Sequence, residues 1–177
     1  MKMNSLISLL SEHGIDTSLF GQGQAKTLSH LLKEVEEGEA VFEVESGVLR
    51  RVISLVSIQI QSPYGEQLVE DRQVFKDGRV RERGLTALAE KFKPGEDRIV
   101  AARRALQEEL GVSAEIADTL VFLEGGTEEK VKTSPSYPGL ISVYRVTNLS
   151  VELPAAAYDP SGYIEKQSDK STYFLWK

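Results

Sequence analysis

The chain has no cysteine among its 177 residues. Disulfides, thiol nucleophiles and cysteine-ligated zinc are therefore excluded. Histidine is scarce, with only His13 and His30. Neither has a neighbouring ligand in the sequence, so both read as structural. Long apolar runs are missing, and nothing approaches the roughly 20 residues of a membrane span. The start, MKMNSLISLL, holds one lysine and a short apolar run without a credible cleavage site, then enters Ser11-Glu12-His13. It reads as a helix and not as a signal peptide. No membrane partner is expected, and the default location is cytoplasmic. A net charge of −6 argues against a nonspecific nucleic-acid coat.

What is present is ordinary for a globular chain: 41% apolar and 27% charged residues. The length predicts one domain with a small appendage. Residues 4–13 carry Leu6, Ile7, Leu9 and Leu10 and predict a short amphipathic helix ending at Gly14. Thr27 is placed to cap a second helix, Leu28–Glu37, stopped by Gly38. Gly21, Gly23, Lys26 and Thr27 fail as a phosphate loop, because the residue spacing is wrong and no strand precedes them. Residues 1–39 thus form a helical appendage, and 40–177 form the main domain.

From Ala40 the pattern turns to strands. Ala40–Val44 is short, and Val48–Gln61 is rich in Val and Ile. Gln67–Lys76 and Arg79–Arg83 flank Asp77-Gly78, a two-residue hairpin signal. That register would set Arg72, Lys76, Arg79, Arg81 and Arg83 on one face, with Phe75 and Val80 on the other. Opposed like charges call for something acidic, either a diphosphate or the chain's own Glu66, Glu70 and acidic helices. A nucleic-acid reading of this basic hairpin is the least favoured. Beyond residue 112, Glu115–Leu123 reads as a strand and 124–129 as an acidic loop. Tyr137, stiffened between Pro135 and Pro138, either stacks a ligand ring or anchors its loop to the core. Ile141–Val146 is a strand, Val151–Leu153 continues or ends the sheet, and Thr172–Trp176 is a last strand or docking segment.

The informative stretch is Glu90–Val112. Pro94-Gly95 is a loop, Asp97 a helix cap and Gly111 a helix stop. On a helical wheel Ile99, Ala102, Leu106 and Leu110 form one stripe. Arg104, Ala105, Glu108 and Glu109 share another face with Ala101. Paired carboxylates beside small residues suit a hard cation such as Mg²⁺ or Mn²⁺. They equally suit a solvated face with an Arg104–Glu108 pair.

These 23 residues resemble a Nudix box. Glu96 fits its first glutamate. Arg104, Leu106, Glu108, Glu109, Gly111 and Val112 fit its second half at the required spacing. Two positions depart: Glu90 stands where the opening glycine belongs, and Ala105 where a metal-ligating glutamate usually stands. The resemblance implies an α/β fold, a Nudix-like α/β/α sandwich with a mixed sheet. It implies Mg²⁺- or Mn²⁺-dependent hydrolysis of a diphosphate linkage in a nucleoside diphosphate derivative. Glu108 and Glu109 would hold the metal, and Glu90 is the expected replacement for the carboxylate lost at Ala105. One of these acids would orient water as general base. Arg104 would pair with Glu96 to fix the loop, with Gly95 and Gly111 shaping the turns. Arg79, Arg81, Arg83, Tyr137 and Glu128 are the expected substrate contacts. A homodimer is compatible with the resemblance. The alternative is a degenerate Nudix-fold protein that binds a nucleotide or partner and regulates without turnover.

Overall fold

A computed structural model describes residues 1–177. The protein is a mixed α/β chain with two sheets. In chain order the elements are α1 (Met3–Glu12), α2 (Leu28–Glu36), β1 (Val41–Glu45), β2 (Val48–Gln61), β3 (Leu68–Phe75), β4 (Val80–Leu85) and β5 (Leu88–Lys91). They continue with α3 (Arg98–Leu110), α4 (Ala114–Thr119), β6 (Leu123–Thr133), β7 (Ile141–Glu152), β8 (Tyr163–Lys166) and β9 (Lys170–Trp176). One sheet runs β1-β2-β7-β6, with β5 also paired to β2; the other runs β4-β3-β9-β8. No helix is long and apolar enough to cross a membrane.

The chain divides into two compact units. The first comprises Met1–Leu55, Lys91–Glu96 and Thr127–Val146; the second comprises Val56–Glu90, Asp97–Gly126 and Thr147–Lys177. Residues 1–39 therefore do not form a unit of their own, and 40–177 contributes to both.

In the first unit, Leu6, Leu10 and Leu31 of the helices are fully buried against Leu49, Tyr137 and Leu140. Each such side chain contributes about 1.5–3 kcal/mol on leaving water. The Thr27 hydroxyl caps α2 by accepting from the His30 backbone N–H. Beside this core lies a buried polar knot. Glu34 accepts from Arg51 Nε at 3.0 Å and from Lys26 Nζ at 2.8 Å, and Arg51 also donates to Ser142.

In the second unit, β3 pairs with β4 and β9, and β9 with β8, all antiparallel. The hairpin register differs from the two-residue expectation. Phe75 N–H donates to Arg79 O, leaving Lys76-Asp77-Gly78 as a three-residue loop with Gly78 at φ 85°. Arg81 consequently opposes Gln73, and Arg72 opposes Glu82. Arg72 and Arg81 fall on opposite faces, so the single basic face does not form.

Two further segments differ. Residues 114–119 are α4, where a strand was expected, because the Ser113 hydroxyl accepts from Ile116 N–H and nucleates a helix. Residues 124–129 belong to β6 and are not a loop.

Candidate functional site

Helix α3 supplies the centre. The Asp97 carboxylate accepts from Ile99 N–H at 2.8 Å and starts it, and Gly111 ends it in the left-handed conformation at φ 68°. Arg98 anchors the first turn by donating to Glu124 at 3.1 Å. The stripe Ala102, Leu106 and Leu110 is buried as expected, with Ile99 partly so. Ala101 and Ala105 are also fully buried, so α3 packs on two faces.

Glu109 follows on that second face. It is half-buried, and its acidity is strongly weakened: burial, then the charges of Glu165, Glu90, Glu70 and Glu108, push its pKa up to about 8. Burial and these four charges all act in the same direction. The chain thus gathers four carboxylates from β3, β5, α3 and β8 around one side chain.

The other four each have a donor. Arg104 Nη1 binds Glu90 Oε1 at 3.0 Å and Glu108 Oε2 at 3.3 Å, so one nitrogen ties β5 to α3. Arg83 makes a two-pronged contact with buried Glu70, its Nε donating at 2.6 Å. Gln167 donates to Glu165 at 2.6 Å. The two arginines offset only part of the negative charge.

Glu108, Glu109 and Glu90 come together, and Arg104 lies among them. Arg83 joins the same group through Glu70. Glu96 closes its own loop by accepting from Lys93 N–H at 2.8 Å, with Gly95 at φ 71° in that loop. Arg79 is bound to Asp77 at 2.7 Å and lies over the Phe75 ring, serving its own turn. Arg81 is exposed opposite Gln73. Glu128 bridges to Lys130 at 2.8 Å within β6. Tyr137 is a correction: it is fully buried, packed against Phe20 at 5.6 Å with Arg51 over its ring at 5.1 Å. It cannot stack on a ligand, and it anchors its loop to the core.

Glu70 and Glu165 join the group without having been read as members of it. Glu70 was legible as an acid facing the basic hairpin, and the Arg83 contact realises that pairing. Glu165 had no local signal; β8 packs against α3 only through the sheet order β3-β9-β8.

The donor set is all carboxylate oxygen, which fits a hard divalent cation in kind. As the side chains stand, no three are close enough to ligate one ion.

No family model matches the chain, and no curated protein matches it. Among solved structures, DR0079 from Deinococcus radiodurans shares 20% identity with a TM-score of 0.40. The match covers 70% of this chain, which spans about 65% of that one. So slight a likeness decides neither fold family nor activity.

Proposed function

We propose that this protein is a Nudix-type metal-dependent hydrolase that cleaves a diphosphate linkage in a nucleoside diphosphate derivative. The observation that carries the reading is Glu109: a half-buried carboxylate with four others around it. Folding concentrates like charge there at a cost in stability, which is what a cation-binding site requires of its protein before the cation arrives. The fold is then the Nudix α/β/α sandwich, and the location cytoplasmic.

Glu109, Glu108 and Glu90 would hold Mg²⁺ or Mn²⁺. When bound, the cation supplies charge neutralisation on the phosphate oxygens and a more acidic water. The chain's own residues do the rest. Arg104 holds Glu90 and Glu108 on one side of Glu109 and positions them; it is not a reacting group. Glu70 holds Arg83 through Nε and Nη2, and the remaining Nη1 would be the donor to a phosphate oxygen. One of these acids, or a neighbouring one, would orient the water as general base.

A second reading has its own observation. Ala105 is fully buried, so the missing glutamate has been replaced by packing. A Nudix-fold regulator that binds nucleotide without turnover would look the same at that position. Product release from a panel of nucleoside diphosphate derivatives with Mg²⁺ and Mn²⁺ separates the two. Turnover in wild type that is lost in Glu109→Gln supports the hydrolase. Nucleotide binding without product across the panel supports the regulator. Glu90→Gln should weaken Mn²⁺ binding as fully as Glu109→Gln, and unchanged affinity would remove Glu90 from the site.

A further inference from the structure

Tyr64, Tyr158, Trp176 and Tyr163 form a row of four rings, all within the second unit. The row begins where the core face of the second sheet runs out. Thr172, Phe174 and Trp176 alternate onto one face of β9, and Tyr163 of β8 shares it by opposing Phe174. Thr172 and Phe174 are buried, whereas Trp176 and Tyr163 are only partly so. Tyr163 and Trp176 have ring centres 5.9 Å apart, Trp176 and Tyr158 5.4 Å, and Tyr158 and Tyr64 5.3 Å. Tyr64 meets Tyr158 edge-on at 72°, and Tyr158 leans on Trp176 at 42°, so notches are left between the rings. Tyr64 ends the row, 73% exposed.

The rings are held in place by their own polar atoms. Tyr158 donates its hydroxyl to Glu66 at 3.0 Å, Tyr163 to Ala157 O at 2.6 Å, and Trp176 Nε1 donates to Asp159 O at 2.8 Å. The turn carrying Tyr64 is tied by the Ser62 hydroxyl, which accepts from the N–H groups of Tyr64 and Glu66. Two carboxylates border the row and accept from uncharged donors: Glu66 from the Ser62 and Tyr158 hydroxyls, Asp159 from Ser161. Lys177, next to Trp176, is drawn to Asp71 at 3.6 Å.

These features select a partner by its chemistry. A nucleic acid could stack its bases here, but would bring phosphates against the two carboxylates. A sugar would find the polar atoms of three rings already engaged. A polyproline II helix brings apolar rings in a preformed shape, and its three residues per turn align every third side chain along one edge. One turn rises about 9 Å, against at most about 11 Å for the two ring steps from Tyr64 to Trp176. We propose that the row docks a proline-rich peptide segment carrying arginine or lysine, bound as a polyproline II helix. Its prolines fill the notches on either side of Tyr158, and its basic side chains reach Glu66 and Asp159.

Trp176 is the only tryptophan, so its fluorescence reads binding directly. The full chain, free of divalent cations, is titrated with a peptide of repeated Pro-Pro-Arg triplets. A saturable change in Trp176 emission with a dissociation constant of about 10–100 µM is expected. A Pro-Pro-Glu repeat keeps the helix and reverses the charge, and a Gly-Ser-Arg repeat keeps the charge and loses the helix. Each should bind at least about tenfold more weakly. Tyr64→Ala should weaken the Pro-Pro-Arg peptide about tenfold and leave the urea midpoint in place, since the side chain is exposed. Glu66→Gln should narrow the preference for Pro-Pro-Arg over Pro-Pro-Glu. No saturation up to about 1 mM overturns the proposal. So does equal affinity for the three peptides, unchanged binding in Tyr64→Ala, or a tighter response to oligothymidylate or to a maltose oligosaccharide.

Discussion

Replacing Glu109 by Gln keeps the shape of the side chain and removes its charge. The folded protein holds the Glu109 proton up to about pH 8, while the unfolded chain releases it near the ordinary 4.5. Between those values the folded state binds more protons than the unfolded one, so stability falls as pH rises. The full span is worth at most about 5 kcal/mol, at about 1.4 kcal/mol per pH unit. Glu109 is partly exposed and water screens the charges around it, so a loss of about 2–3 kcal/mol is expected. The assay is urea unfolding of wild type and Glu109→Gln, without divalent cations, from about pH 5 to about pH 9. The two should agree at the acid end, and the variant should be the more stable by that margin at the alkaline end. Mg²⁺ or Mn²⁺ should lift wild type selectively at the alkaline end. Parallel profiles for the two proteins would refute the reasoning, because Glu109 would then titrate as an ordinary exposed carboxylate.

Two other variants test the frame around the site. Arg51→Ala leaves Glu34 buried with only Lys26 beside it, and should cost about 3–5 kcal/mol in urea unfolding. The same knot gives a pH dependence of opposite sign. Burial works to raise the Glu34 pKa, but Lys26 and Arg51 outweigh it and lower it, so its contribution is present above pH 4.5 and is lost on acidification below that. Gly162→Ala should destabilise by about 2–4 kcal/mol, seen as a fall in melting temperature. Its added Cβ would fall 2.0 Å from the Phe174 backbone oxygen, at a residue held at φ 81°.

The sequence was most legible where local chemistry decides the outcome. Thr27 and Asp97 cap the helices they were expected to cap, and β2 has the bounds its Val- and Ile-rich run implied. Legibility failed where neighbours decide. The helix α4 depends on one serine hydroxyl, and its six residues are too few to show a period. The glycines and acids of β6 look like a loop, yet β7 beside them makes them a strand. One residue in the Asp77-Gly78 turn changed which arginines share a face. The residues Glu90, Arg104, Glu108 and Glu109 were picked out by the resemblance of their stretch to a Nudix box. Glu165 was invisible, because only the order of the second sheet brings it near.

The core beneath the N-terminal helices has a consequence for the order of events during synthesis. Leu6, Leu10 and Leu31 leave the ribosome early, but the Tyr137 and Leu140 that complete their packing emerge about a hundred residues later. Through that interval α1 and α2 are short helices with their leucines wet, below the length at which a helix holds without a tertiary partner. These two helices, made well before the residues that complete their packing, are therefore among the last elements to become native. Slowed translation or truncation before Tyr137 leaves an apolar N-terminus exposed to chaperones and to aggregation.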